Sequence, residues 1–332
     1  MKIIIPMAGM GKRLRPHTLV TPKPLFPIAG KPIVQRLVED IVNVYDGKIN
    51  EIAFVIGDFD VSIKELLIEV ANNLDTVPKI YYQEEPLGTA HAVWCAKESI
   101  DEEIIVAFAD TLFRSDYKFN AIYDANIWVK SVSNPSAYGV VKLNENQEIE
   151  SFIEKPKEPV SDLAIIGIYH FKNWQAILEN INYLVQNDVR NLGEIQLTDA
   201  LQRMKNQGFK FGIYKVQDWM DCGNKETILN TNHKVLDYHS KDNLINHHVN
   251  LHNAFIIPPC FIDKDVVIEN SIIGPYVSIG KGTKIQNSII KNSIIQHQAN
   301  ILNANLENSI IGKESSYVDH VKSINLGDYS HV

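Results

Sequence analysis

The chain has 332 residues, 45% of them hydrophobic and 22% charged, with 17 glycines and 14 prolines. That is the composition of a globular protein, and the length exceeds what one core ordinarily serves, so two domains are expected. A formal net charge of −8 excludes general attraction to nucleic acid, although a local basic loop still suits a phosphorylated small molecule. No apolar run is long enough to span a bilayer, and no signal peptide is expected ahead of the first strand. Cys95, Cys222 and Cys260 lie far apart without metal spacing, as expected of free thiols in a reducing compartment. The cytoplasm is the expected location, with neither nucleic acid nor membrane as partner.

Residues 2–5, Lys-Ile-Ile-Ile, form a short β-branched run suited to a buried strand. The loop that follows, from Pro6 to Pro24, combines Gly9 and Gly11 with Lys12, Arg13, Arg15 and Lys23. Residues 32–42 then repeat apolar positions at helical spacing behind a proline suited to a first turn. A strand, a cationic glycine loop and a helix in that order suit a phosphate held at the C-terminal edge of a parallel sheet.

Strand-like runs follow at 52–57 and 79–83, separated by a helical pattern over 61–73. A helix from about Gly88 leads to an apolar strand over 103–109 that ends on Asp110. This alternation predicts a parallel, doubly wound sheet with helices on both faces. From about residue 127 strands succeed one another at 127–130, 138–142, 149–153 and 163–171. Helices are expected near 173–186 and 196–207, a strand over 209–216, a turn at 218–223 and a helix over 224–238.

The last segment is different in kind. Asn-Ser-Ile-Ile recurs at 270–273, 287–290, 292–295 and 308–311. Large apolar residues stand six apart at Phe255, Phe261, Val267, Ile273, Ile279 and Ile285. A six-residue period with Asn and Gly at turns predicts a parallel β-helix, whose inward aliphatics stack coil on coil. At about 18 residues per coil, 255–332 supplies about four coils, with the register breaking at Lys291. The expected domains are 1–240 and 241–332.

Alone, the first loop is ambiguous. Gly9-Met10-Gly11 lacks the third glycine of a dinucleotide fingerprint, no acid ends the second strand, and no Gly-Lys-Ser/Thr of a Walker loop is present. A strand-to-helix turn with solvated cations accounts for an isolated Gly-x-Gly. Later strand ends carry further candidates. Asp110 and Asp221 follow strand-like runs, where an aspartate serves a helix cap or turn bond or, with a second hard oxygen ligand, Mg²⁺. Gln83 presents both acceptor and donors to a base, beside a Gly88 that lets backbone approach closely.

The ordered series is more specific than any one block. It comprises Gly9-Met10-Gly11-Lys12-Arg13-Leu14 with Pro22-Lys23-Pro24, then Gln83 with Leu87-Gly88-Thr89-Ala90-His91-Ala92, then Asp110. Tyr138-Gly139-Val140-Val141, Glu154-Lys155-Pro156, Gly167 and Trp219-Met220-Asp221-Cys222-Gly223 complete it. Across residues 1–240 this series resembles the sugar-1-phosphate nucleotidylyltransferases (NDP-sugar pyrophosphorylases), in their glucose-1-phosphate thymidylyltransferase-like form with a C-terminal left-handed β-helix. The resemblance implies an α/β fold: a Rossmann-like three-layer nucleotidyltransferase domain with a mainly parallel sheet, followed by a short left-handed parallel β-helix. It implies transfer of a nucleotidyl group from an NTP, dTTP or UTP, to a sugar 1-phosphate, glucose 1-phosphate. Pyrophosphate would leave after Mg²⁺-assisted in-line attack on the α-phosphate.

Such a reaction needs positioning and charge neutralisation rather than covalent work. On the resemblance the catalytic residues are Arg13, facing the β- and γ-phosphates, Lys23, at the α-phosphate, and Asp110, which shares the metal with Asp221. The nucleotide would lie against Ala8, Gly9, Gly11, Gln83, Gly88 and Thr89, and the sugar phosphate against Gly139, Glu154, Lys155 and Gly167. Ala109 stands where the family commonly has glycine. His91 reads as helix packing, and His247, His248 and His252 as linker residues. Two alternatives stay open: a catalytically silent regulatory homologue that binds nucleotide sugar, and a bifunctional enzyme whose β-helix also transfers acyl groups with His297 or His320 as base. A homo-oligomer is expected.

Overall fold

The computed structural model describes residues 1–119, 122–158, 160–320 and 325–329. Positions 321–324 and 330–332 of the expected β-helix therefore lie outside the described residues. The chain divides into two compact units, Met1–Leu25 with Ile33–Cys222, and Phe26–Pro32 with Gly223–Val332. In chain order the strands up to residue 221 begin with β1 (Lys2–Pro6), β2 (Pro27–Ile28), β3 (Lys31–Pro32), β4 (Glu51–Ile56), β5 (Val77–Tyr82) and β6 (Ile104–Ala107). They continue with β7 (Thr111–Arg114), β8 (Ala125–Ser131), β9 (Gly139–Leu143), β10 (Ile149–Glu154), β11 (Leu163–Phe171), β12 (Phe211–Lys215) and β13 (Asp218–Asp221). The helices are α1 (Ile33–Val44), α2 (Val61–Asn72), α3 (Thr89–Cys95), α4 (Trp174–Gln186), α5 (Leu197–Asn206) and α6 (Lys225–Tyr238). No helix among the described residues is long and apolar enough to cross a membrane.

The first unit is built on a mixed sheet. β5, β4, β1 and β6 lie side by side and parallel, the half that the strand–helix alternation anticipates. β11 joins β6 antiparallel and pairs in turn with β8 and β9, while β12 adds to β8 in parallel. Ile3, Ile4 and Ile5 are all fully buried. A strand at the centre of a sheet covered on both faces takes continuous aliphatics rather than alternation. α1 buries Ile33, Val34, Leu37, Val38 and Ile41, the three-and-four spacing of a helix with one apolar face. Phe54, Trp128, Phe171 and Phe211 fill the space around these elements.

Residues 218–221 are not the turn expected from Asp218, Asp221 and Gly223. They form β13, which pairs antiparallel with β7 so that Asp221 stands opposite Thr111. Local turn chemistry is overridden here by a partner strand about a hundred residues earlier in the chain.

The second unit contains a β-helix of three parallel sheets. One runs from Asn250–His252 through Val267–Glu269, Lys284–Gln286 and Asn300–Leu302 to Ser316–Val318, and the other two have four strands each. Ile268 pairs with Ile285, a step of 17 residues, and Ile285 with Ile301, a step of 16. The strict six-residue set is therefore corrected. Ile262, Ile268, Ile273, Ile279, Ile285, Ile290, Ile295 and Ile301 are at most 1% exposed, whereas Phe255 is 66% exposed, and Phe261 and Val267 are only partly buried. Five-residue steps at 268–273, 285–290 and 290–295 shorten the coils and displace the first half of the expected series by one residue. A one-residue slip turns a strand residue to the opposite face.

The Asn-Ser-Ile-Ile copies explain the short steps. Asn253, Asn270, Asn287 and Asn303 all take positive φ at one corner, which asparagine tolerates better than most residues. Their carboxamides form a ladder with Nδ2–Oδ1 distances of 2.8, 3.3 and 3.1 Å. The copies at 292–295 and 308–311 occupy a different corner, joined by Asn292 and Asn308. The β2–β3 hairpin belongs to this unit: Ala29 N–H donates to Asn232 Oδ1 of α6 (3.0 Å), which also accepts from Ser278 Oγ of the β-helix (2.7 Å). That shared acceptor is one reason why the compact division falls at Gly223, ahead of α6, rather than after it.

Ile285→Ala should lower the unfolding free energy of the chain by about 2–5 kcal/mol in a denaturant titration. Phe255→Ala should cost less than about 1 kcal/mol. Equal or reversed costs would restore the strict six-residue register.

Candidate active site

β1 delivers the glycine loop to the sheet edge. Met7 N–H still donates to Val55 carbonyl (2.8 Å), so the chain leaves the sheet only at Ala8. Gly11 adopts φ 68° and ψ 53°, and a Cβ there would stand 2.7 Å from Lys23 Cβ. Both the left-handed backbone and the close approach require glycine. Its carbonyl accepts from Leu14 N–H (3.0 Å) and from the hydroxyl of buried Thr18 (2.8 Å). Together these close a short turn that buries Leu14 and leaves Lys12 and Arg13 exposed. Gly9 differs, since nothing lies within 4 Å of a Cβ built on it. The backbone there faces open space rather than protein.

Lys23 is buried to 9% exposure, and its Nζ lies 2.8 Å from Asp110 Oδ2. A nearly buried ammonium needs such a partner, because burial without one is costly. Asp110 sits just past β6, where Phe108 N–H donates to Gly167 carbonyl (3.0 Å) and Cys222 N–H to Asp110 carbonyl (2.9 Å). With Asp221 opposite Thr111, the two predicted carboxylates arrive at one edge from distant parts of the chain. Among the described residues no group of three or more His, Cys, Asp or Glu side chains forms a metal cage. Two carboxylates at an open edge fit Mg²⁺, which takes most of its oxygens from phosphate and water. Asp110 and Asp221 are the residues that would hold it.

Tyr138 reports on the same corner. Its ring packs edge-on against Trp219 at 4.8 Å, and Trp219 Nε1 donates to Thr111 Oγ1 (2.5 Å). Burial, then Asp221, raises the pKa of its phenol, and Arg13 opposes them. Arg13 and Asp221 thus act on one hydroxyl.

On the other side of the loop, β5 delivers Gln83. Its Nε2 donates to Gly88 carbonyl (3.2 Å) and lies 3.2 Å from His91 Nδ1. Gly88 has φ 131°, and a Cβ there would meet Ile195 O at 2.5 Å and Ile195 N at 2.6 Å. Ile195 N–H donates to Leu87 carbonyl (2.8 Å), and Ala90 N–H to Ile195 carbonyl (2.9 Å). Thr89 continues the junction: its hydroxyl accepts from Leu197 N–H (2.9 Å) and donates to Gln196 Oε1 (3.2 Å). The segment 195–197 is thereby stitched to the start of α3.

Beside that junction lies a cavity of about 200 Å³ lined by Thr89, Phe108, Tyr138, Gly139, Glu154, Ile165, Gly167, Tyr169, Gln196 and Thr198 among others. Gly139 leaves room for Glu154, whose Oε2 would stand 3.0 Å from a Cβ built there. Gly167 takes φ +84°, within a register irregularity of β11 against β8. Burial raises the Glu154 pKa, opposed by Lys155 and by the Thr198 hydroxyl 3.5 Å away. Lys155 is exposed, takes φ 44°, and holds its Nζ 3.9 Å from Glu154 Oε1. The phenol of buried Tyr169 is pushed far up by burial, with Glu154 and Asp110 adding to it.

The predicted residues therefore fall into three adjoining groups: Gly11, Lys23, Asp110 and Asp221; Gln83, Gly88 and Thr89; and Gly139, Glu154, Lys155 and Gly167. Ala8, Gly9 and Arg13 edge the first. Thr18, Phe108 and Tyr169 were not singled out from sequence. For Gln196 and Thr198 a signal existed, since Glu194-Ile195-Gln196-Leu197-Thr198-Asp199 stands out, but it reads as a helix start. Thr18 and Tyr169 carry no local signal.

A glycine loop carrying cations, a carboxylate pair at the sheet edge and a separate cavity make up the candidate site. The chain belongs to the nucleotidyl transferase family, whose family model matches residues 2–238. It is 36% identical over 241 residues to the bifunctional protein GlmU of Methanococcus maripaludis strain C7, covering 71% of this chain and 55% of that one. The chain thus spans about half the length of the first curated relatives it matches. It is 27% identical to glucose-1-phosphate thymidylyltransferase of Streptomyces griseus, over 99% of this chain and 98% of that one. The solved structure of apo UDP-glucose pyrophosphorylase superposes with a TM-score of 0.60 at 23% identity, covering 72% of this chain and 98% of that one, a likeness of fold.

A carboxyl whose pKa is raised by folding costs stability where it is ionised. Glu154→Gln should therefore raise the Tm at pH 7. The gain should shrink as pH falls through the raised pKa and vanish below the ordinary carboxylate value of about 4.3. A Tm that falls at pH 7 would show that the carboxylate is instead stabilised in its pocket.

Proposed function

We propose that the chain transfers a nucleotidyl group from an NTP, dTTP or UTP foremost, to a sugar 1-phosphate, glucose 1-phosphate foremost, releasing pyrophosphate and an NDP-sugar. The observation that carries the reading is the Lys23–Asp110 contact beside Asp221, between the Gln83–Gly88 contact and a cavity of about 200 Å³. The full-length likeness to glucose-1-phosphate thymidylyltransferase supports the substrate pair.

The residues divide the work as follows. Gly9 and Gly11 bring backbone close to the triphosphate, and exposed Arg13 neutralises the β- and γ-phosphates, where its fork suits a leaving pyrophosphate. Lys23 meets the charge that grows at the α-phosphate during in-line attack. Asp110 and Asp221 would hold Mg²⁺, which would supply charge neutralisation at the phosphates. Gln83 and Gly88 face the base, and Glu154, Gly139 and Gly167 orient the sugar. Lys155 keeps the sugar's phosphate in line. Attack by a phosphate oxygen requires no proton removal near neutral pH, so no general base is needed.

Incubation with Mg²⁺, each NTP and a panel of sugar 1-phosphates should release pyrophosphate with at least one pair. Arg13→Ala should lower kcat/KM by at least about 10²-fold with the Tm unchanged. Folded wild-type protein that releases none with any pair would contradict the reading.

A further inference from the structure

We infer that His91 is a positioning residue: by accepting a hydrogen bond from Gln83 it turns the Gln83 carbonyl outward and selects NTPs whose base carries an imide N–H. The inference rests on the proposed nucleotide site, in which Gln83 faces the base.

The orientation of the Gln83 carboxamide follows from its neighbours. Gly88 carbonyl only accepts, so the Gln83 atom 3.2 Å from it is the amide nitrogen. The same nitrogen lies 3.2 Å from His91 Nδ1. Both N–H bonds of Gln83 are then directed into protein, and Oε1 is the atom left for a ligand. A flipped carboxamide would set its oxygen against Gly88 carbonyl and the imidazole lone pair together.

His91 is held for this task. It is 9% exposed and stacked on Trp94, with ring centroids 5.8 Å apart and planes 22° from parallel. An amide donor facing Nδ1 is satisfied by one tautomer, with the proton on Nε2 and a lone pair on Nδ1. Burial lowers the imidazole pKa against the opposing pull of Glu85, which keeps the ring neutral and the lone pair available. Cys95 Sγ, 4.0 Å from both ring nitrogens, is too distant and too weak a partner to compete.

An outward Oε1 accepts but does not donate. Uracil and thymine offer N3–H, and guanine N1–H, whereas cytosine and adenine present a lone pair at the equivalent position. Two lone pairs facing each other leave a polar group unpaired, which costs binding energy. The choice between UTP and CTP isolates this contact, since the two bases have the same ring size.

The test compares UTP with CTP in the full chain, by pyrophosphate release and, independently of turnover, by calorimetric binding. Wild type should favour UTP. His91→Phe keeps a stacked ring but loses the acceptor, and should lower the UTP:CTP ratio by at least about tenfold. His91→Asn, whose Oδ1 falls near the position of Nδ1, should restore most of the ratio, which a merely packing role would not. A wild-type ratio near one overturns the inference without any variant. So does an unchanged ratio in His91→Phe, or a His91→Asn protein no more selective than His91→Phe. Binding with UTP preference but no turnover would remove the transfer reading and leave this inference standing.

Discussion

A lysine amine placed where the interior has nearly closed over it must find a negative charge, and Lys23 finds Asp110 at 2.8 Å. This ion pair joins the loop after β1 to the end of β6, and much else follows from it. The loop must pass close over the lysine stem, so residue 11 has no room for a side chain. Asp110 must stand at the sheet edge, so β6 ends one turn of backbone earlier, tied to Gly167. Because the aspartate is still 42% exposed, the pair is open to a ligand rather than sealed as a structural bridge. On the proposed function an anionic phosphate would replace the carboxylate at Lys23 and leave Asp110 for a cation, which would keep every charge compensated.

The same economy appears in the other two groups. Glu154 is buried enough to resist ionisation and is offset by Thr198 and Lys155, the environment in which a carboxylate gains most from hydroxyl donors of a bound sugar. Gly88 and Gly139 each leave room for one neighbour, Ile195 backbone in one case and Glu154 in the other. Thr89 ties the start of α3, beside Gly88, to Gln196 and Leu197 at the cavity wall. Substrates held across that junction would be positioned by one rigid piece of backbone, which is where most of the barrier reduction in such a reaction is expected to arise.

Much of this was legible from residues alone, for identifiable reasons. Continuous aliphatic runs at β1, β4 and β6 admit little else than buried parallel strands, and helical spacing marks α1 directly. Gln83 and Asp110 follow just past strand ends, where periodicity itself points, and Gly11 and Lys23 lie in the loop after β1, where glycines and cations point. What escaped depended on pairing between distant segments. β13 reads as a turn until β7 is beside it, and Thr198 reads as part of a helix start until Glu154 is opposite. Tyr169 lies in a run of aliphatics where nothing distinguishes a cavity wall from core. In the β-helix the repeat was evident but its phase was not, since five-residue steps set by asparagine corners look like noise against a six-residue period. His91 is the instructive intermediate: it packs in α3 as its pattern suggests, and its function lies in one nitrogen.

The central claim is that Lys23 and Asp110 act as one unit, and a double-mutant cycle on the rate of pyrophosphate release tests it most directly. Lys23→Met, Asp110→Asn and the double variant would be compared with wild type under saturating Mg²⁺ and substrates. If the pair is a unit, each single variant is slowed severely and the double variant is no slower than the slower single one. Losses that simply multiply in the double variant would show that the two side chains act independently, and would contradict the claim.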